Sequence, residues 1–520
     1  MRKILITGFI LSFFIASSAF AQTFTPEGAE NIKAEIDKWL ELQVKLMEMS
    51  SYDEETEIRT FNPVTLEGDT TVSAADGYYE AKLPFITFAM SDERRIEIGQ
   101  IAINIVPEDD NPALWNMTMA MPKNMPVINQ VGQSVGAINI GGQRFKGRLD
   151  TDRDIFLQYE MAYQDIQGEE TDNGIKSMLK IKSLNAQQDL RSMVDNPDLY
   201  NGPITFEATG IEGSQGGKDG IKVSIAKIDG ATVYAQIPLF NAEEFQNKIL
   251  QYNDNTSEMA EHDLIKTIFE TFAFLPDNAK SHFSMHDVYV ISDDEDGETG
   301  MSAELVNFGS FGSGLKSDDA NIGMGYEISG LAFTNMAAEY APYLPYLSQL
   351  NAEVTNLPLV SALDLIKIGT TGALDTSQDL TDEQRTKMME STFSMIAPLF
   401  AKHATTITIK DTRTVAPEFA LTLAGDVKAS GASPRGFVGE IVMQVKGFDK
   451  AVSALRETMQ KNEESRLFLQ QVVMGLTMAQ SIGQLDDTQT TRIYRFEFKE
   501  TGDIFVNGTN FGGFMGSMAH

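Results

Sequence analysis

The chain has 520 residues, 42% of them hydrophobic, with 41 Lys+Arg against 74 Asp+Glu, a net charge of −33 and no cysteine. This length and apolar content support a large core shared among two or three units of about 150 residues each. The negative surface repels phosphate backbones, which argues against nucleic-acid binding. The missing cysteine excludes disulfides, thiolate metal sites, a cysteine nucleophile and a lipidated cysteine.

The chain opens MRKILITGFILSFFIASSAFAQ. Arg2 and Lys3, an apolar run from Ile4 to Ile15 and the Ala19-Phe20-Ala21 site are the three parts of a secretory signal peptide. Residues 1–21 are therefore expected to be removed after Ala21, giving a periplasmic protein. The apolar run is shorter than the ~20 residues that span a bilayer. No later stretch is long and apolar enough, so no integral span is expected after cleavage.

Residues 22–50 form the next element. Ile32, Ile36, Leu40, Val44 and Met47 follow steps of four and three, which predicts an amphipathic helix from Glu27 to Met49. From 51 to 200 the pattern turns to period two, with turn signals at Asp76-Gly77, Asp109 to Pro112 and Gly141-Gly142, which predicts a β-rich region. Within RIEIGQIAINIV, Ile96 and Ile98 lie on one phase and Ile101, Ile103 and Ile105 on the other. The change at Gly99-Gln100 predicts a β-bulge. In ALWNMTMAMP, Trp115, Met117, Met119 and Met121 alternate with Asn116, Thr118 and Ala120. That spacing predicts a strand with one sulfur-rich face.

Two later stretches repeat one order of elements. In the first, residues 201–315, a hairpin enters a helix at Asn241, followed by the strand HFSMHDVYVIS, the acidic turn DDEDGETG, a return strand and NFGSF at Asn307 to Phe311. In the second, residues 403–514, a strand enters a helix at Phe448-Asp449, followed by strand, turn, strand and NFGGF at Asn510 to Phe514. Asn241 and Asp449 are suited to capping helix N-termini. A helical connecting region, 316–402, is expected between them, and 515–520 form a tail. The expected fold is α+β. It is a long curved, mostly antiparallel β-sheet in duplicated sheet-plus-helix units, with long amphipathic helices packed on it.

The phrase LAGDVKASGASPRGFVGEIVMQVKGFDKAVSAL (Leu423 to Leu455), the repeated sheet with interposed helices and the closing hairpin resemble AsmA-like and YdgA-like bacterial envelope proteins, mainly over Tyr200 to Gly513. The resemblance implies a sheet-rich periplasmic protein connected with outer-membrane lipid or assembly, with no catalytic residues to carry over. AsmA-like members commonly keep an N-terminal anchor, whereas this start looks cleavable.

Catalytic motifs fail on inspection. In GIEGSQGGKDG, Glu212 and Asp219 replace the first glycine and the hydroxyl residue of a phosphate loop. In HFSMH, Met285 replaces the glutamate of an inverted zinc-protease motif, and strand spacing sets His282 and His286 about 13 Å apart. The acidic stretches from Asp150 and Asp293 lack a glycine and a twelfth-position glutamate, respectively, for calcium. No enzyme activity, cofactor or metal site is assigned. Trp115, Met117, Met119 and Met121 are the candidate ligand-binding residues, and their face reads as core, as a groove wall or as a Cu(I) site with thioether ligands. The expected function is non-enzymatic binding or transfer of lipid or another hydrophobic ligand in envelope maintenance. The alternatives are an outer-membrane structural or assembly factor that contacts envelope proteins without a ligand, and a Met-rich Cu(I)-binding protein.

Overall fold

The computed structural model describes residues 24–50, 52–53, 58–59, 64–90, 94–153, 155–172, 174–217, 220–239, 276–294, 297–335, 341–373, 381–461 and 466–511. The leader, the helix expected after Asn241 and the tail lie outside them. The chain divides into two compact units, 1–275 and 276–520. Both are built on antiparallel sheet.

In the first unit, helix α1 (Pro26–Ser50) is the helix expected at 27–49. The Thr25 hydroxyl accepts from the Gly28 N–H at 3.0 Å, and Pro26 fills the first helical position, where a missing N–H does no harm. Ala29, Ile32, Ile36, Trp39 and Leu40 form its buried stripe. The helix start is tied down by Tyr79, whose hydroxyl accepts from the Thr25 N–H at 3.1 Å.

Eight short strands follow: β1 (Val64–Glu67), β2 (Thr71–Ala75), β3 (Tyr78–Lys82), β4 (Phe85–Ala89), β5 (Arg95–Gly99), β6 (Ala102–Pro107), β7 (Leu114–Ala120) and β8 (Asn124–Ile128). Five long ones complete the unit: β9 (Ser134–Asp150), β10 (Ile155–Asp172), β11 (Ile175–Asp189), β12 (Leu199–Gln215) and β13 (Gly220–Pro238). Strand β9 is a fork. Its first half pairs with β8 and its second half with β7, so two ladders, β8-β5-β4-β1 and β7-β6-β3-β2, leave the same edge. Their apolar faces and the α1 stripe enclose one core. Beyond β9 the sheet continues as β10-β11-β12-β13.

The fork explains the isoleucine phases. Ile96 and Ile98 belong to one ladder, Ile101, Ile103 and Ile105 to the other, and all five are buried. A bulge is present, but at Ile98, where the partner register skips from Gly99 to Glu97. Gly99, at φ +87, is instead the turn that carries the chain between ladders.

The long strands carry an aligned row, Ile140, Ile166, Ile181, Ile211 and Ile225, on one face. Beside it, strict alternation breaks. Tyr163 and Ile166 are both buried because Asp165 between them takes φ +51 and shifts the phase. Asp165 faces Gly141 on β9 and Lys182 on β11, which in turn faces Gly210 at φ +58. A Cβ on Gly141 would stand 2.9 Å from that of Asp165. The glycine therefore makes room for the kink.

The second unit is a meander of β14 (Asn278–Asp294), β15 (Gly297–Ser313), β16 (Ala320–Ser329), β17 (Leu347–Leu357), β18 (Thr406–Val415), β19 (Ala420–Ala429), β20 (Phe437–Lys446), β21 (Thr491–Phe498) and β22 (Ile504–Val506). Each strand pairs antiparallel with the next. Helices α2 (Leu359–Ala373) and α3 (Asp382–His403) interrupt it after β17, and α4 (Phe448–Lys461) and α5 (Arg466–Ile482) after β20. Phe448 and Val452 of α4 pack with Val445 and Tyr494 of the sheet and with Leu476 and Ala479 of α5. Arg492 fastens this corner. It donates from Nε and Nη2 to the Asp449 carboxylate, at 2.6 and 2.9 Å, and from Nη1 to the Gln480 and Gly483 carbonyls at the end of α5.

Region 316–402, expected to be helical, is a correction: its first half is β16 and β17. The physical reason is the period-two run Ile322, Met324, Tyr326 and Ile328, whose spacing glycines suit a strand. The two Asn-Phe-Gly elements occupy different places, the first within β15 and the second at a two-residue strand, 509–510, after β22. The boundary between the compact units falls inside 201–315.

Candidate functional site

Met117 and Met119 lie within β7, between β6 and β9, and Met121 follows its end. Trp115 is 2% exposed, Met117 and Met121 are buried, and Met119 is half-buried against the same core. The Trp115 indole donates to the Pro112 carbonyl at 3.1 Å, which satisfies its one polar atom. The Gln143 amide grips the Met121 backbone, accepting from its N–H at 3.0 Å. The Tyr163 hydroxyl donates to the Met121 sulfur at 3.4 Å. Met117 and Met119 stand opposite Ile105 and Ile103 on β6, and Trp115 opposite Leu149 on β9, with these side chains packed in one core.

On the opposite face of β7, Asn116 joins an ion pair. Arg148 holds Glu108 with two hydrogen bonds of 2.7 and 2.9 Å, and Asn116 adds a third at 3.2 Å. The Arg148 hydrogen bond is the main cause that keeps the Glu108 carboxyl below its usual range, against an opposing push from burial. A carboxylate lowered in the folded state stabilises above its unfolded value of about 4.3 and loses that contribution as pH falls through the folded value. Glu108→Gln is accordingly expected to cost about 1–2 kcal/mol at neutral pH and progressively less as pH falls through the folded value, giving a flatter acid limb in a series of thermal melts.

The residues that strand periodicity alone does not single out are those on the open apolar faces. In the second unit Phe308 faces Tyr326, and Ile322, Val354 and Ile407 form an adjoining row on the same face. Met324 lies between Ile322 and Tyr326. Phe308 is 41%, Ile322 37%, Met324 51%, Tyr326 38% and Ile407 49% exposed. The other face of these strands is mixed: it carries the Glu353–Lys410 pair and Arg413 donating to Gln349, together with an exposed Phe311 opposite Gly323. Towards β20 and β21 the apolar face is covered by α4 and α5. The first unit has the same gradation: Met161 and Ala186 are buried, while Phe206 in their row and Leu179, seven residues along β11 from Ala186, are exposed. Alternation in NIGMGYEIS marks an apolar face but does not say whether anything covers it.

His282 and His286 lie on β14, as the strand reading requires. Among the described residues no three His, Asp or Glu side chains converge as a metal site, and no helix is long and apolar enough to cross a membrane. Asp150 organises its own turn, accepting from the N–H groups of Asp152 and Arg153 and pairing with the Arg153 guanidinium at 2.9 Å. Comparison with protein-family models, with curated proteins and with solved structures finds no match to this chain.

Proposed function

We propose that this is an exported, non-enzymatic envelope protein that binds or carries lipid or another hydrophobic ligand on the open apolar faces of its sheets. The observation that carries the reading is the patch of Phe308, Ile322, Met324, Tyr326 and Ile407, exposed together on one face. Contiguous apolar surface of this kind marks interaction sites because leaving it in water is unfavourable. The signal-like start and the resemblance to AsmA-like and YdgA-like envelope proteins support the compartment and the ligand class.

A fluorescent fatty acid titrated into the protein tests it. Met324→Glu places a charge in the patch and is expected to weaken binding about tenfold or more. The side chain is half exposed, so the melting curve should shift by less than about 0.5 kcal/mol. Absence of binding by the unaltered protein would remove the ligand reading and leave the assembly factor.

A further inference from the structure

Sulfur in this chain is all thioether: 25 methionines and no cysteine. No thiol competes for an oxidant, so exposure ranks the methionines. Met117, Met121, Met125 and Met161 are buried, whereas Met301, Met324, Met395, Met474 and Met478 are exposed. Among the described residues, Met324 alone of these five is flanked on its own strand face by two exposed apolar side chains, Ile322 and Tyr326. Its cross-strand neighbours, Ser310 and Ala352, are small and leave the thioether standing clear.

We propose that Met324 is an oxidation site through which a peroxide closes the apolar face of the second unit to its ligand. The Met324 sulfur attacks one oxygen of hydrogen peroxide, the O–O bond breaks, an S–O bond forms, and the second oxygen leaves as water with both peroxide protons. Sulfur loses two electrons and the peroxide gains them. The product is a sulfoxide, a strong polar acceptor in the middle of a surface that otherwise offers carbon. An acyl chain laid over it has no donor to give, so the desolvated S=O opposes binding. Sulfoxide reduction restores the thioether and the face.

The consequence for binding rests on the hydrophobic-ligand reading; the chemistry at Met324 does not. The full chain is treated with hydrogen peroxide, oxidation at each methionine is followed by peptide mass spectrometry, and fluorescent fatty-acid affinity is measured before and after in the unaltered protein and in Met324→Leu. Met324 is expected to oxidise at least about tenfold faster than Met125, and the affinity of the unaltered protein to fall about tenfold as it does. Met324→Leu, compared only with itself, is expected to change less than about twofold on the same treatment. Slow oxidation of Met324, or an equal loss in Met324→Leu, overturns the switch. Binding that survives complete oxidation of Met324 overturns the switch alone, whereas no binding by the untreated protein overturns the ligand reading and the switch with it.

Discussion

Trp115→Ala is expected to lower the unfolding free energy of the first unit by about 3–5 kcal/mol, the largest single effect foreseen here. The side chain is 2% exposed and stands where β6, β7 and β9 meet, opposite Pro107 and Leu149. The pairings of β7 with β6 and β9 hold the walls of the site in register, so they collapse little into the gap and the cavity term adds to the lost transfer energy. The indole hydrogen bond disappears as well, leaving the Pro112 carbonyl without that donor. Urea unfolding followed by the fluorescence of Trp39, the other tryptophan, measures the loss directly. Met117→Leu and Met121→Leu provide the contrast, each conserving volume and expected to cost below about 1.5 kcal/mol. A loss under about 1 kcal/mol for Trp115→Ala would mean that this strand lines open space.

Arg492→Ala is expected to cost the second unit about 2–4 kcal/mol, because one guanidinium serves three elements. It pairs bidentately with Asp449 at the start of α4, binds the end of α5 through Gln480 and Gly483, and itself lies on β21. Its loss leaves Asp449 with the Gln480 amide alone among these partners, at 2.7 Å, and strips a donor from the end of a helix. Lysine carries the charge but not the fork, so Arg492→Lys should recover less than half of the loss. Thermal melts of the three proteins, with hydrogen exchange of the α4 and α5 amides, check both the size and the place of the effect.

Much of this architecture was legible from spacing. The α1 stripe, the β7 alternation and the strand character of HFSMHDVYVIS all follow from the period of their apolar residues. Other features were hidden for identifiable reasons. A fork in a sheet leaves no mark except a change of phase, and Gly99-Gln100 looked like a bulge because a strand that changes partners also changes phase. The expectation of a helical link over 316–402 misses β16 and β17, although Ile322, Met324, Tyr326 and Ile328 alternate cleanly. The Met face of β7 showed that apolar residues share a side, but whether it met a partner sheet or water depends on β6 and β9, which are distant in sequence. The patch around Met324 was hidden by the same ambiguity in reverse.

The phase-shifting aspartates have one more consequence. Long strands with a period of two can slide by two residues and still present the same face, so alternation alone cannot fix their alignment. Asp165, held at φ +51 opposite Gly141, removes that freedom. Sliding β10 by two would bring it opposite Asn139 or Gln143, whose Cβ atoms occupy the space that the glycine leaves open. Asp287 at φ +49 repeats the kink on β14, and Gly330 at φ +63 follows β16, while Asp411 at φ +47 sits where the β17–β18 register shifts. Asp165, Asp287 and Asp411 act as indexing notches: each gives its strand one position at which it locks against a neighbour. A chain with such extended hairpins is thereby protected from the near-native misalignments that alternation would tolerate.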